Sequence, residues 1–380
     1  MSDTASQQTR SEEVAEKLER VRGYLEQSGR SGVLLTRQFN VSWIGAGLED
    51  VIIRGQDGGF VWSLVTPDGA YLVTSNIEAA RLNGEESPGD LGFEVVAVPW
   101  YEGHYASALD ELVDTTRLAN DGEGPGETAP DDLQMLRLKL TAGERDRMRV
   151  LGAECCEALE DTMRKLRPGM PGTELAAEAA YRLELQGIVP YVLLSGGDGR
   201  RAGFRHPTVS PAPLERDAMM VFVAVRGGLN MACTRTASVG PPDPVLAERH
   251  AIASEAEARS IAATRPGATY GDALQAQLDV YEAHGYHEEW KNHTQGGPIG
   301  YGAREFGVAP LAAPDRGTGI AVEAGHAVAW NPTVQGAKSE DTFLVGESEN
   351  ELITNSSSWP AIEVPVGDGS ASRPGILEVG

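Results

Sequence analysis

Arg167-Pro168-Gly169 and, farther along, Arg265-Pro266-Gly267 open two stretches that read alike. Each follows a long helical pattern, and a second helix begins shortly after it, behind Gly172 or Thr269. Those second helices end in Leu185-Gln186-Gly187-Ile188 and in Ala283-His284-Gly285-Tyr286. R-P-G is a common helix stop by itself, because proline cannot continue a helix and glycine accepts the left-handed cap. Matching helices on both sides favour duplication over coincidence, with two related halves packed about a pseudo-two-fold axis. Strand patterns follow each helix pair, at 218–225 and 229–239, then at 327–331 and 341–345. Helices flanking a curved antiparallel sheet make a cup, and polar residues collect on its concave side. The expected class is α+β.

The chain upstream is organised differently. Val14, Leu18, Val21 and Leu25 repeat at helical spacing within 11–27. Strand patterns at 32–36, 59–65, 70–74 and 93–98 and a helix at 106–118 suggest a small α/β domain, with Pro67-Asp68-Gly69 as a turn. Residues 120–130 (NDGEGPGETAP) have the composition of a linker. Thr141-Ala142-Gly143-Glu144 is a capping box opening a long helix. The expected division is a disordered tail 1–10, an N-terminal domain 11–135, the cup domain 136–362 and a flexible Gly/Ser/Pro-rich tail 363–380.

Lys and Arg total 32 against 56 for Asp and Glu, a net charge of −24. Such a surface repels phosphate backbones and anionic headgroups, so nucleic-acid and membrane partners are not expected. No apolar run approaches the roughly 20 residues of a membrane span, and the polar start lacks a signal peptide's apolar stretch. The expected location is cytoplasmic. Of the three cysteines, Cys155 and Cys156 are helical neighbours pointing about 100° apart, and Cys233 stands alone. No spacing suggests a disulfide or a zinc site. The Ser195-Gly196-Gly197-Asp198-Gly199 loop lacks the Lys-Ser/Thr of a P-loop and reads as rim.

His206-Pro207-Thr208, Thr234-Arg235-Thr236, Asn292-His293-Thr294-Gln295-Gly296-Gly297, Asn331-Pro332 and Ser339-Glu340-Asp341-Thr342 occur in a recognisable order. With them the chain resembles the creatinase and Xaa-Pro aminopeptidase family over nearly its whole length. The resemblance implies the pita-bread fold for the cup domain and a smaller creatinase-like N-terminal domain. Metal-dependent members of that family bind two divalent ions through two Asp, one His and two Glu. Those positions fall at Ala232, in the stretch 221–225 without a carboxylate, at Gly296 or Gly297, and at Asn331; only Glu340 survives. One carboxylate and an amide do not neutralise two hard cations, so no metal and no cofactor are expected.

Creatinase works without a metal, and the resemblance extends to it. His206 matches its catalytic histidine, Arg304 beside Glu305 an arginine that helps hold the substrate carboxylate, and Glu340 a guanidino-contacting glutamate. Arg54 loosely matches a second carboxylate-binding arginine that reaches across from a partner subunit. A histidine titrates near neutrality and can move protons, while arginine presents a planar fork to carboxylates. The expected site is His206 and Glu340 as catalytic groups, with Arg304, Arg54, Asn331, His293, Thr234 and Asn230 lining it. Thr234 and Asn230 replace a Glu and a Tyr of creatinase, which argues against creatine. The resulting expectation is a homodimeric, metal-independent hydrolase of a non-peptide C–N bond in a small carboxylate-bearing molecule. Competing expectations are an elimination, isomerisation or rearrangement enzyme, a non-catalytic binding module and, last, a metal-dependent aminopeptidase.

Overall fold

In the computed structural model the described residues are 8–102, 105–309 and 316–380. They form two compact units, one of residues 1–146 with 227–229, the other of 147–226 with 230–380.

The first unit is built on helix α1 (Arg10–Ser28), whose start is fixed by reciprocal bonds between Thr9 and Glu12. Most of the expected tail, 1–7, lies outside the described residues. Val14, Leu18, Val21 and Leu25 of α1 are all buried. The sheet comprises β1 (Gly32–Arg37), β2 (Gly58–Val65), β3 (Ala70–Ser75), β4 (Glu94–Val98), β5 (Leu118–Asn120) and β6 (Glu127–Thr128), in the order β4-β3-β2-β1-β5-β6. Two expectations fail here. The helix expected over 106–118 stops at Leu112, because Leu118 enters the sheet core with Leu34, Leu64 and Val73. The segment 120–130 extends the sheet instead of linking domains. Its Asp121 is 1% exposed and accepts bonds from the Thr36 N–H, the Thr36 hydroxyl, the Arg37 N–H and the Asn40 amide at 2.8–3.1 Å. Four donors on one carboxylate lock that turn into the unit.

The division falls after Asp146, not near 135, and the reason is electrostatic. Glu144, in the first turn of α2 (Ala142–Met163), meets the ammonium of Lys17 at 2.6 Å, and Glu13 meets it at 2.6 Å from within α1. All three side chains are fully buried, and separating them would leave unpaired charge out of water.

The second unit repeats itself. Helix α2 is followed by α3 (Gly172–Glu184); α4 (Pro244–Ala263) is followed by α5 (Tyr270–Ala283). Gly187 (φ 67°) and Gly285 (φ 79°) both cap their helices in the left-handed region. Past them the Ile188 N–H bonds the Leu183 carbonyl and the Tyr286 N–H bonds the Tyr281 carbonyl. These are two copies of one Schellman cap. The first half carries β7 (Val189–Gly196), β8 (Asp217–Arg226) and β9 (Leu229–Val239). The second carries β10 (Gly296–Ile299), β11 (Ala327–Trp330), the short β12 (Ala337–Lys338), β13 (Asp341–Leu344) and β14 (Glu351–Leu352). Beneath the second sheet Tyr270, Val328, Trp330 and Phe343 form a buried core.

The segment expected to be a flexible tail is ordered. Ala361–Val366 and Gly369–Pro374 form a hairpin, and Ile376–Val379 lies parallel to β9 from Thr236 to Val239. Its composition hides an inward charged residue, Arg373, which is 2% exposed and ion-paired with Asp341 and Glu257.

Candidate active site

Side chains two apart on an extended chain point to the same side. Lys338 on β12 and Glu340 just before β13 therefore face together, 3% and 4% exposed, with Nζ 3.4 Å from Oε2. Opposite them on β9, the Thr234 hydroxyl donates to the same Oε2 at 2.7 Å, and the Thr234 N–H donates to the Glu340 carbonyl at 2.9 Å. The flanks of Glu340 are also pinned. The Ser339 hydroxyl and the Asp341 N–H both donate to the carboxylate of Glu257 on α4, at 2.5 and 2.7 Å.

His206 comes from the loop after β7, which folds back so that the Ser195 N–H bonds the Pro207 carbonyl. His293 precedes β10. The sequence separates the two rings by 87 residues, yet their Nε2 atoms lie 3.0 Å apart. His293 Nδ1 contacts the Thr294 carbonyl. A carbonyl only accepts, so Nδ1 carries the proton, and the Nε2 of a neutral His293 must accept from the Nε2–H of His206. The Nδ1 of His206 is left with a free lone pair. Burial, the Lys338 ammonium and the neighbouring His206 push His293 down to about 3. His206 is also lowered, by burial first and then by Lys338, with Arg304 adding to it and Glu340 opposing. Both rings are neutral at pH 7, and His206 is a base.

Arg304 is partly buried, and burial lowers its pKa against the pull of Glu340. Among the described residues it makes no hydrogen bond or ion pair. Glu305 instead accepts from the Gly302 N–H, and Asp341 is held by Arg235 and Arg373. Among the described residues the side-chain oxygen of Asn331, 7% exposed, has no hydrogen-bond partner. A buried unpaired acceptor costs about 1–3 kcal/mol, and a ligand N–H would satisfy it.

His206 is thus brought to His293 and Thr234 to Glu340, the charges of Arg304 and Glu340 reach His206, and the Asn331 N–H bonds the Gln295 carbonyl two residues past His293. Asn230 is near by but committed, its N–H and amide both bonding the Gly300 carbonyl at 2.7 and 3.0 Å. Arg54 lies in the first unit, on an exposed stretch before β2. The sequence reading missed Lys338, although its i, i+2 spacing to Glu340 was the available signal.

The donors do not fit a two-metal centre. Among the described residues no group of three or more His, Cys, Asp or Glu could hold a metal ion. Ala232 is buried with both its N–H and its carbonyl on the Thr342 hydroxyl. A Cβ on Gly296 would lie 2.4 Å from the Ala329 carbonyl oxygen, and one on Gly297 3.1 Å from Val308, so neither carries an imidazole without rearrangement. Glu340 already faces an ammonium.

Residues 146–347 match the profile of metallopeptidase family M24. The chain belongs to this family. It is 25% identical to the uncharacterized peptidase YqhT of Bacillus subtilis over 90% of this chain and 98% of that one. It is 27% identical to the probable dipeptidase PepE of Mycobacterium bovis, over 63% of this chain and 64% of that protein. A Xaa-Pro dipeptidase structure from Bacillus anthracis superposes with a TM-score of 0.71, at 22% identity, covering 96% of this chain and 100% of the other. These findings correct the functional expectation. A metal-independent hydrolase of non-peptide C–N bonds does not stand against a metallopeptidase family whose similar members are named as peptidases and dipeptidases. The expectation gave the substituted ligand positions more weight than the fold that surrounds them. Among the described residues no helix is long and apolar enough to cross a membrane.

Proposed function

We propose that the chain is a hydrolase of short peptides, with dipeptides bearing a free C-terminal carboxylate as its substrate class. The observation that carries this is Arg304, a partly buried guanidinium with no partner among the described residues, beside the His206–His293 pair. A bidentate carboxylate satisfies such a fork. The orphan oxygen of Asn331 takes a peptide or amino N–H. His206 Nδ1 accepts the proton of the attacking water and returns it to the leaving nitrogen. His293, neutral and fixed by the Thr294 carbonyl, keeps the His206 ring in the tautomer that exposes Nδ1. The dipeptidase relatives support the same substrate class.

The test is a panel of dipeptides, Xaa-Pro members included, followed by mass spectrometry with and without added Mn(II), Co(II) or Zn(II). Free-carboxylate dipeptides are cleaved and their C-terminal amides are spared. Failure to cleave any dipeptide under any of these conditions overturns the proposal.

A further inference from the structure

We propose that Lys338 is a catalytic residue of this cup, donating a hydrogen bond to the substrate carbonyl oxygen as it becomes negative; this rests on the peptide-hydrolysis reading above. The ammonium is 3% exposed, and Glu340 Oε2 at 3.4 Å is its partner among the described residues. That distance is longer than the 2.7–2.9 Å typical of a charge-assisted bond. Taking an ammonium out of water is costly, and a structural lysine recovers this by saturating its three donors. Lys338 does not; donors remain for a ligand. Its charge disfavours protonation of both His206 and His293, so the ammonium is within electrostatic reach of the base.

The balance of charge agrees. With both imidazoles neutral, the charged groups acting on them among the described residues are two cations, Lys338 and Arg304, and one anion, Glu340. Once a substrate carboxylate neutralises Arg304, the remaining Lys338–Glu340 pair presents an oriented ammonium. A fixed donor aimed at developing charge in a water-poor site is among the largest catalytic terms. Water oxygen bonds the carbonyl carbon, and its proton passes to His206 Nδ1. The C=O electron pair moves onto oxygen, which takes the bond from Nζ–H. As C=O re-forms, the C–N bond breaks, and the nitrogen leaves with the proton from His206. The products are an acid and an amine, and Lys338 is unchanged.

The test compares wild type with Lys338→Met and Lys338→Arg. On any dipeptide cleaved by wild type, Lys338→Met lowers kcat by roughly 10²–10³-fold with KM changed only a few-fold, and Lys338→Arg restores part of it. In parallel, calorimetry measures binding of a phosphinate analogue of an alanyl dipeptide, whose anionic tetrahedral centre mimics the intermediate, and of the parent dipeptide. Lys338→Met loses affinity for the phosphinate and retains it for the parent. Equal loss for both, or for neither, overturns the proposal. The calorimetric arm decides it even if no peptide is turned over, an outcome that removes the hydrolysis reading separately. Lys338→Arg guards against a folding defect, because it keeps the charge.

Discussion

Replacing Arg373 with Met should cost the second unit more than most substitutions in the protein. The guanidinium sits 2.5 Å from Asp341 Oδ2 and 2.7 Å from Glu257 Oε2, with all three side chains at most 2% exposed. Removing one partner of a buried ion pair costs about 3–5 kcal/mol, because the other charge stays buried and uncompensated. Two features bring the expectation to the lower end. Asp341 keeps Arg235 at 2.9 Å. Glu257 is already pushed up to about 7 by burial, with Arg373 opposing that rise, so it protonates once the arginine is gone. About 3 kcal/mol, at about 2–4 °C per kcal/mol for a unit of this size, lowers Tm by about 6–12 °C. The pH dependence has a defined sign. A carboxyl whose folded pKa lies above its unfolded 4.5 contributes stability below 4.5 that is lost as pH rises through about 7. The variant raises that pKa further, so its deficit grows from pH 6 to pH 8. Scanning calorimetry at both pH values measures this, with the exposed hairpin change Glu363→Gln as a control that leaves Tm in place. A Tm within 2 °C of wild type, or a deficit independent of pH, would refute the reasoning.

Other consequences follow from the same geometry. His206→Gln should abolish turnover with the fold intact, and the acid limb of the wild-type kcat/KM profile should have its midpoint below pH 6.5, since His206 must be neutral and its pKa is lowered. Arg304→Gln should raise KM for free-carboxylate dipeptides at least tenfold, the value of about 1.4 kcal/mol of lost binding, in steady-state assays. His250 is buried and held at about 4. Its contribution to stability is therefore present above 6.5 and lost as pH falls toward 4, and His250→Gln should flatten that part of a urea-denaturation pH series. Protein equilibrated with Mn(II), Co(II) or Zn(II) and gel-filtered should retain fewer than two equivalents per chain by mass spectrometry, because Gly296, Gly297, Ala232 and Asn331 supply no anionic donor or imidazole.

The duplicated architecture was legible because it is written in local chemistry. Gly187 and Gly285 occupy a left-handed cap that few other residues adopt, and the R-P-G stops mark the same corner twice. The errors came from reading composition where contacts decide. Residues 120–130 look like a linker until Asp121 is seen to gather four donors from β1 and the short helix after it, Gln38–Ile44. The last residues look mobile until Arg373 reaches Asp341, 32 positions back. In the site, His206, Glu340 and Arg304 could be singled out one by one from their motif positions. Their relations could not. The Nε2–Nε2 contact joins rings from the two halves, and the bond from Thr234 to Glu340 spans 106 residues. Pairing of that kind is a property of the folded second unit. Lys338 lay within reach of a period-two reading and was overlooked beside its acidic neighbours.

The most direct test of the account is the dipeptide panel run on free acids and C-terminal amides side by side with wild type and Arg304→Gln. The account predicts cleavage of the free acids by wild type, little or none of the amides, and loss of that preference in the variant. Equal cleavage of acids and amides, or no cleavage of any peptide with or without added metal, would contradict it.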